Sequence, residues 1–112
     1  MTAEEIIGGL KWNGQGLVPA IVQDAEKFDV LMMAWMDEEA LRRSLACGEM
    51  VFWSRSRREY WHKGDTSGNV MTIVEWAADC DSDVLLFKVK MHGKQVACHT
   101  GARSCFFKKA TE

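Results

Sequence analysis

The chain has 112 residues, of which 47% are hydrophobic and 27% are charged, and its formal net charge is -2. This composition is typical of a folded globular protein and excludes disordered and fibrous classes. The length fits one domain, which we expect to span residues 1–112. A small negative charge gives no global electrostatic reason to bind nucleic acid or a membrane surface, so neither is predicted as a partner.

The cellular compartment is predicted from what the sequence lacks. No run approaches the roughly 20 apolar residues of a membrane span, and residues 1–10 carry acids where a signal peptide carries lysines. We therefore expect a cytoplasmic protein. In that reducing compartment, four cysteines favour a metal or catalytic role over disulfides. Cys47 is the exception, because its place at the end of a predicted helix indicates packing.

The N-terminal part of the chain predicts a short helix and a hairpin. Thr2 and Glu5 have the spacing of a capping box, which begins a short helix. Two apolar runs, 17–24 and 30–36, are separated by a polar turn and predict a β-hairpin. Pro19 has no amide donor and is expected near a strand start or on an edge.

A well-defined helix is predicted next. Asp37 is a capping residue, Gly48 is a terminator, and the residues between them, 38–47, have helical apolar spacing. Acidic and basic residues four positions apart, Glu38 with Arg42 and Glu39 with Arg43, add charge pairs on its surface.

Three more strands are predicted, over residues 50–54, 70–78 and 84–91. The stretch 55–69 is rich in Arg, Lys, Gly and Ser, which indicates a polar segment outside the core. Five strands with one well-defined helix and a short N-terminal helix predict a small α+β domain with a mainly antiparallel sheet.

Asp79, Asp81 and Asp83 alternate with other residues between the last two predicted strands. If this segment is extended, the three carboxylates share one side and Cys80 faces the other. Carboxylates suit Mg²⁺ or Ca²⁺, whereas a thiolate prefers zinc. The alternative is a solvated acidic turn. An EF-hand is disfavoured because its downstream glycine and glutamate are missing.

Cys98 and Cys105 form the second constellation, with His99 beside the first thiol. Their spacing is not that of a zinc finger, so two structural cysteines are the alternative for this segment alone. With Cys80 they make three candidate zinc ligands and leave a fourth position for water. His99 is then a candidate acid or base, the alternative being a structural hydrogen bond.

The polar stretch is the third constellation and predicts binding of a phosphorylated small molecule. Its arginines suit phosphate oxygens, and Gly64 and Gly68 would let backbone amides approach an anion, with hydroxyls from Thr66 and Ser67. Simple surface charge is the alternative for the arginines. Interleaved aromatic residues could stack on single-stranded nucleic acid, but the acidic total disfavours it.

Six ordered blocks resemble the phosphoribosyl-AMP cyclohydrolase family of histidine biosynthesis. They are GLVPAIVQD (16–24), MDEEAL (36–41), FWSRSR (52–57), WHKGDTSGN (61–69), DCDSD (79–83) and CHTGARSCF (98–106). They cover nearly the whole chain. Asp65 stands where the family often has Glu, a departure that concerns only the shape of that loop. Some relatives carry a fused pyrophosphohydrolase domain, which we expect to be a separate protein here.

The resemblance implies hydrolysis of the N1–C6 bond of the adenine ring in 1-(5-phosphoribosyl)-AMP, giving the formimino-aminoimidazole carboxamide ribotide. It implies zinc on Cys80, Cys98 and Cys105, and Mg²⁺ on the three aspartates. It also implies an intertwined homodimer in which Cys80 comes from the other subunit. Zinc-activated water would be the nucleophile, with His99 as the catalytic residue that moves protons. The residues expected to bind phosphate or ribose are Arg55, Arg57, Lys63, Thr66 and Ser67.

Two readings from other classes stay open at this point. One is a structural-zinc module that binds nucleotides or single-stranded RNA, in which His99 or His62 would close the metal shell. The other is a purely structural dimerisation domain, which leaves the arginine and glycine-rich segments unexplained.

Overall fold

Two helices and six strands form the domain in the computed structural model, which describes residues 1–111. In chain order they are α1 (Ala3–Gly9), β1 (Val18–Asp24), β2 (Val30–Met36), α2 (Glu38–Cys47), β3 (Val51–Ser54), β4 (Glu59–His62), β5 (Met71–Ala78) and β6 (Leu85–Met91). The predicted α+β class is confirmed. The bounds of α2 are those predicted, and five strands agree with predicted ones to within a residue at each end.

All six strands belong to one sheet, in the order β4-β3-β2-β1-β6-β5. Four neighbouring pairs are antiparallel, as predicted, but β1 and β6 are parallel, with Ala20 opposite Leu85. The sheet is therefore mixed. Local patterns could not reveal this pairing, because it joins strands from opposite ends of the chain.

The expectation that residues 55–69 contribute no strand is wrong, since β4 lies inside this stretch. The β3–β4 hairpin is closed by a bond from the Arg58 amide to the Ser54 carbonyl, 2.8 Å long, and Arg58 adopts a φ of 55°. Charged side chains are confined to the turn and the strand edge, while Tyr60 and Trp61 pack against the core. The average polarity of residues 55–69 does not show that the charged and the core-packing residues lie in different parts of the stretch.

The helix ends have the predicted caps. The side chain of Thr2 accepts from the Glu5 amide and the Glu5 side chain accepts from the Thr2 amide, which completes the capping box. Asp37 caps α2 through the Ala40 amide, and Gly48 ends it with a φ of 75°. Cys47, expected to pack, is exposed instead, because the last turn of α2 faces solvent.

Pro19 lies near the start of β1, as predicted, but β1 is an interior strand and the edge alternative is wrong. The proline is tolerated because pairing with β6 begins only at Ala20. The missing amide therefore removes no bond from that ladder.

The hydrophobic core lies on one face of a curled sheet. Amides of Met50 and Ile73 bond to carbonyls of Met71 and Gly48, so the chain entering β3 meets the start of β5. The predicted inward face of β6 is confirmed, with Leu85, Phe87, Val89 and Met91 all buried. Within the described residues, no helix is long and apolar enough to cross a membrane.

Candidate functional site

One cavity of about 560 Å³ brings together segments that are distant in sequence. Its walls are strand β4, the loop over residues 63–69, and the segment around Cys98 and His99. Of the residues predicted to bind substrate, Arg57, Lys63, Thr66 and Ser67 line this cavity. Arg55 does not, and lines two neighbouring clefts with Trp53 instead.

The loop over 63–69 folds tightly on itself, and a glycine allows it. Gly64 has a φ of 82°, and a Cβ there would lie 2.3 Å from the backbone carbon of Asn69. The Gly68 amide donates to the Gly64 carbonyl at 2.8 Å, so it is not free for an anion. That the two glycines let other backbone amides of the loop approach an anion stays a prediction. Gly64 allows two parts of the chain to approach closely. The hydroxyls of Thr66 and Ser67 are exposed, and the Ser67 oxygen accepts from the Asn69 amide at 3.2 Å.

Lys63 points from this loop toward the cysteine segment. Its ammonium donates to the Ala97 carbonyl at 2.5 Å and lies 5.3 Å from the centre of the Trp61 ring. Burial lowers the pKa of Lys63, and the neighbouring thiols of Cys105 and Cys98 oppose that shift. The lysine thus places a positive charge beside the thiols at the floor of the cavity.

The predicted arginines lie on the β3–β4 turn in different settings. Arg55 stacks over the Trp35 ring at 4.5 Å, which orients its guanidinium on the sheet surface. Arg57 is exposed and lies 3.6 Å from Glu59, a loose pair that leaves most of its donors free. Arg57 lines the cavity and also shares a neighbouring cleft with Arg55.

Cys98 and Cys105 are brought together, although six residues separate them. Their thiols are neighbours that influence each other's ionisation, and the Thr100 hydroxyl donates to the Cys98 sulfur at 3.1 Å. Hydrogen bonds from Thr100 lower the pKa of Cys98, which favours its thiolate. Partial desolvation and the adjacent Cys98 raise the pKa of Cys105. Two sulfurs this close, with a cation beside them, are a donor set that fits half of a tetrahedral zinc site.

Two histidines face the same cavity. His99 is exposed at its rim, next in sequence to the buried Cys98. His62 forms a hydrogen bond with Glu49, 2.7 Å between Nε2 and Oε1, so this nitrogen is already engaged. His99 is therefore the histidine free to meet a ligand, whereas His62 is held by its carboxylate partner.

Cys80 is not close to the other two cysteines within one chain. It lies in the turn before the Leu85 end of β6, while Cys98 and Cys105 follow the Met91 end. The seven residues of β6 separate those ends by roughly 20 Å at about 3.3 Å per residue. Within the described residues, one chain therefore does not bring the three thiols to one ion.

Asp79, Asp81 and Asp83 do converge, with ligand oxygens within 4.8 Å of one another. The segment is a turn and not the extended stretch considered above, because the Ser82 amide bonds back to the Asp79 carbonyl and Ser82 has a φ of 61°. Sharing of a hydrogen bond with Asp81 raises the pKa of Asp83. Three exposed carboxylates at this distance fit a hard divalent cation.

Residues that the sequence reasoning missed support the thiol segment. Thr100 lies two positions after Cys98, a spacing at which a hydroxyl can return to a preceding side chain, so a local signal existed. Arg103 binds Asp24 and Asp29, which are more than 70 positions away, so no local pattern could have revealed that contact.

Comparisons with known proteins found similar sequences. The family model described as phosphoribosyl-AMP cyclohydrolase matches residues 32–107. A phosphoribosyl-AMP cyclohydrolase of an Azoarcus species is 52% identical over 108 residues, 96% of this chain and 82% of that protein. One from Pelotomaculum thermopropionicum is 59% identical over 100 residues, 89% of this chain and 76% of that protein.

A third relative is longer. The histidine biosynthesis bifunctional protein HisIE of Prochlorococcus marinus is 50% identical over 109 residues, which are 97% of this chain and 48% of that protein. The family match covers the loop over 63–69, the three aspartates and both cysteines of the cavity. The chain therefore belongs to the phosphoribosyl-AMP cyclohydrolase family.

Proposed function

We propose that this chain hydrolyses the N1–C6 bond of the adenine ring in 1-(5-phosphoribosyl)-AMP, a step of histidine biosynthesis. The observation that carries the proposal is the shared cavity, where Cys98 and His99 face arginine, lysine and hydroxyl groups, with the Cys105 thiol next to Cys98. A substrate with a reactive ring and two phosphates needs both kinds of surface. Family membership supplies the reaction.

The proposed metal ligands are Cys98 and Cys105 for zinc, together with Cys80 of a second copy of the chain. The separation of Cys80 from the thiol pair supports a homodimer, because only another copy could complete the set. When bound there, zinc supplies Lewis-acid activation of water, whose pKa it lowers to about 7. Asp79, Asp81 and Asp83 are proposed to hold Mg²⁺, which the 4.8 Å limit on their oxygen separations supports.

The chain's own groups have separate proposed roles. His99, exposed beside the thiols, donates or accepts the proton at the ring nitrogen. Arg57, Thr66 and Ser67 bind phosphate or ribose oxygens at the cavity wall. Arg55 binds a second phosphate in the neighbouring cleft that Arg57 also lines, and Lys63 is placed to balance charge at the thiols.

The test is an absorbance assay of ring opening in phosphoribosyl-AMP. Stripping the protein with a tight zinc chelator is expected to abolish turnover, and added Zn²⁺ is expected to restore it. Cys98→Ser is expected to lose both zinc and turnover. Cys47→Ser is the matched control, because Cys47 is an exposed thiol outside the cavity and should keep both. Full activity of the stripped protein would refute the zinc role.

If the chain were a structural-zinc module, a different set of ligands would be bound to the zinc. It requires four protein ligands, and His62 is held by Glu49. X-ray absorption at the zinc edge is expected to show three sulfurs and one oxygen in the proposed enzyme. A closed shell of sulfur and nitrogen would favour the binding module.

A further inference from the structure

The segment that carries the two cavity thiols has no helix or strand of its own. Residues 92–105 follow β6 as irregular chain, so other contacts must set the position of each sulfur. Two backbone bonds join the segment to itself, from the Ala97 amide to the Arg103 carbonyl at 2.9 Å and from the Cys98 amide to the Ala102 carbonyl at 3.1 Å. Arg103 is therefore directly linked to the backbone that carries Cys98.

The side chain of Arg103 attaches this segment to the turn between β1 and β2. Its Nε and one terminal nitrogen donate to the two oxygens of Asp29, each at 3.0 Å. The same terminal nitrogen also donates to Asp24 at 2.6 Å. A guanidinium bound by two carboxylates in this manner fixes direction as well as distance.

The Asp24 carboxylate is itself held by the turn, whereas the Asp29 side chain is 41% exposed. Asp24 is 7% exposed, and its other oxygen accepts from the amides of Glu26 and Lys27 at 2.8 and 3.1 Å. The Asp24 amide donates to the Asp29 carbonyl at 3.0 Å, which closes the turn. Arg103 is thus bound to a turn that backbone hydrogen bonds close and to a buried carboxylate at its start.

The residues after Arg103 bind the adjoining strand. The Ser104 hydroxyl donates to the Val30 carbonyl, and the Cys105 amide donates to the Leu31 carbonyl, both at 2.8 Å. A hydroxyl or amide can bond to any carbonyl along a strand, so these bonds do not by themselves choose a register. Arg103 does set the register, because its guanidinium binds two particular carboxylates, Asp24 and Asp29, at once.

From these contacts we propose that Arg103 is a positioning residue, which sets the separation of the Cys98 and Cys105 sulfurs by fastening their segment to the β1–β2 turn. It touches neither substrate nor metal. The proposal deepens the proposed zinc role of the two thiols. Its expected effect on zinc affinity rests on that proposed function. Its geometric part, however, concerns the metal-free protein and can be tested alone.

The test measures how readily the two thiols are bridged. A parent chain with Cys47→Ser and Cys80→Ser keeps only Cys98 and Cys105 of its four cysteines. Phenylarsine oxide, which bonds two adjacent thiols at one arsenic, is expected to bridge them rapidly in the reduced, metal-free protein. Arg103→Met is expected to slow bridging about tenfold or more, and Arg103→Lys also slows it because lysine has no fork.

The matched control is Arg42→Met in the same parent. Arg42 also bridges two carboxylates, Glu4 at 2.7 Å and Glu38 at 2.9 Å, but it joins α1 to α2 outside the cavity. We expect this variant to bridge at the parent rate. Reaction of single thiols with iodoacetamide, measured in parallel, separates a change in sulfur spacing from a change in exposure.

A second variant distinguishes positioning of the thiols by Arg103 from a general effect of Arg103 on folding. Arg103→Met leaves Asp24 and Asp29 as neighbouring uncompensated charges, which could unfold the protein. Adding Asp24→Asn and Asp29→Asn removes both charges, and an asparagine at 24 still accepts the turn amides. This triple variant is expected to be folded by circular dichroism but to keep the slow bridging.

Three results would overturn the proposal: a parent that is not bridged, an unchanged rate in Arg103→Met, or a parent-like rate in the triple variant.

With Cys80 retained, zinc affinity is expected to fall by about 10- to 100-fold on Arg103→Met, measured by competition with a chromophoric chelator. An unmodified chain that binds no zinc would refute the metal part of the proposed function, and the bridging result would stand apart from it.

Discussion

His99 is exposed at the rim of the cavity, next to a buried thiol, and its proposed role is to exchange protons with the substrate ring. We expect His99→Ala to lower kcat by about 10²- to 10⁴-fold, the usual contribution of a general acid or base, while zinc content is unchanged. The measurement combines steady-state kinetics with metal analysis of the same sample.

His92→Ala is the matched control for His99. His92 bonds to the Thr72 hydroxyl at 2.8 Å, and it does not line the cavity. We expect it to keep a near-normal kcat. If His99→Ala behaved in the same manner with zinc bound, the acid or base role would be wrong.

Tyr60 provides a prediction about pH, because it is the only tyrosine in the chain. Burial and then its hydrogen bond to Asp37, 2.7 Å long, raise the pKa of Tyr60 to about 12 from an ordinary 10.0. The neutral phenol is thus favoured by folding. The contribution of the neutral Tyr60 phenol to folding stability is complete below pH 10 and is lost as the pH rises through about 12.

Absorbance of tyrosinate at alkaline pH measures this directly. We expect the folded chain to titrate near 12 and the urea-unfolded chain near 10. Asp37→Asn should lower the folded midpoint, because it removes the charge while keeping an oxygen to cap α2. A folded midpoint at 10 would contradict the assigned hydrogen bond.

At the scale of elements, the loop over 63–69 depends on a glycine for a steric reason. A Cβ on Gly64 would meet the backbone of Asn69 at 2.3 Å, and the φ of 82° is also unfavourable for other residues. We expect Gly64→Ala to lower the free energy of unfolding by about 3 kcal/mol or more, through strain and overpacking together. Urea unfolding followed by tryptophan fluorescence measures the change.

Gly68 is the matched control in the same loop. Its φ of 81° is nearly equal, but a Cβ there would meet nothing within 4 Å. Gly68→Ala should therefore cost only the backbone strain, about 1 kcal/mol. Equal losses in the two variants would mean that the close approach to Asn69 is unimportant.

Elements were predictable where the signal was local. The capping residues Thr2 and Asp37, the glycine at 48 and the alternating residues of β6 each act within a few positions, so helix and strand bounds followed from them. Strand β4 was missed for the opposite reason. Its residues become a strand because Tyr60 and Trp61 pack on a core built from other elements.

At the scale of the whole molecule, the proposed homodimer predicts complementation between inactive chains. Mixed dimers of Cys80→Ser and Cys98→Ser contain one site with Cys80 from one chain and both cavity thiols from the other. Unfolding and refolding an equal mixture is expected to restore up to about a quarter of wild-type activity, since half the dimers are mixed and each has one complete site.

A mixture of Cys98→Ser and Cys105→Ser is the control. These two cysteines come from one chain, so every site in a mixed dimer still lacks a thiol and no activity should return. If the first mixture also stayed inactive, zinc completion across two chains would be wrong. Size-exclusion chromatography with light scattering checks that dimers form in both mixtures.

The sequence by itself determined the chemistry and the local structure. Ordered blocks indicated the family, and residue types identified the acids, thiols and arginines, because softness, charge and capping are properties of single residues or near neighbours. Only the tertiary structure decided which groups meet. It paired Cys98 with Cys105, moved Cys80 away, turned Lys63 toward the thiols and placed Arg103 on Asp24. Such contacts arise from sheet order and parallel pairing, and these depend on packing between distant segments that no local pattern encodes.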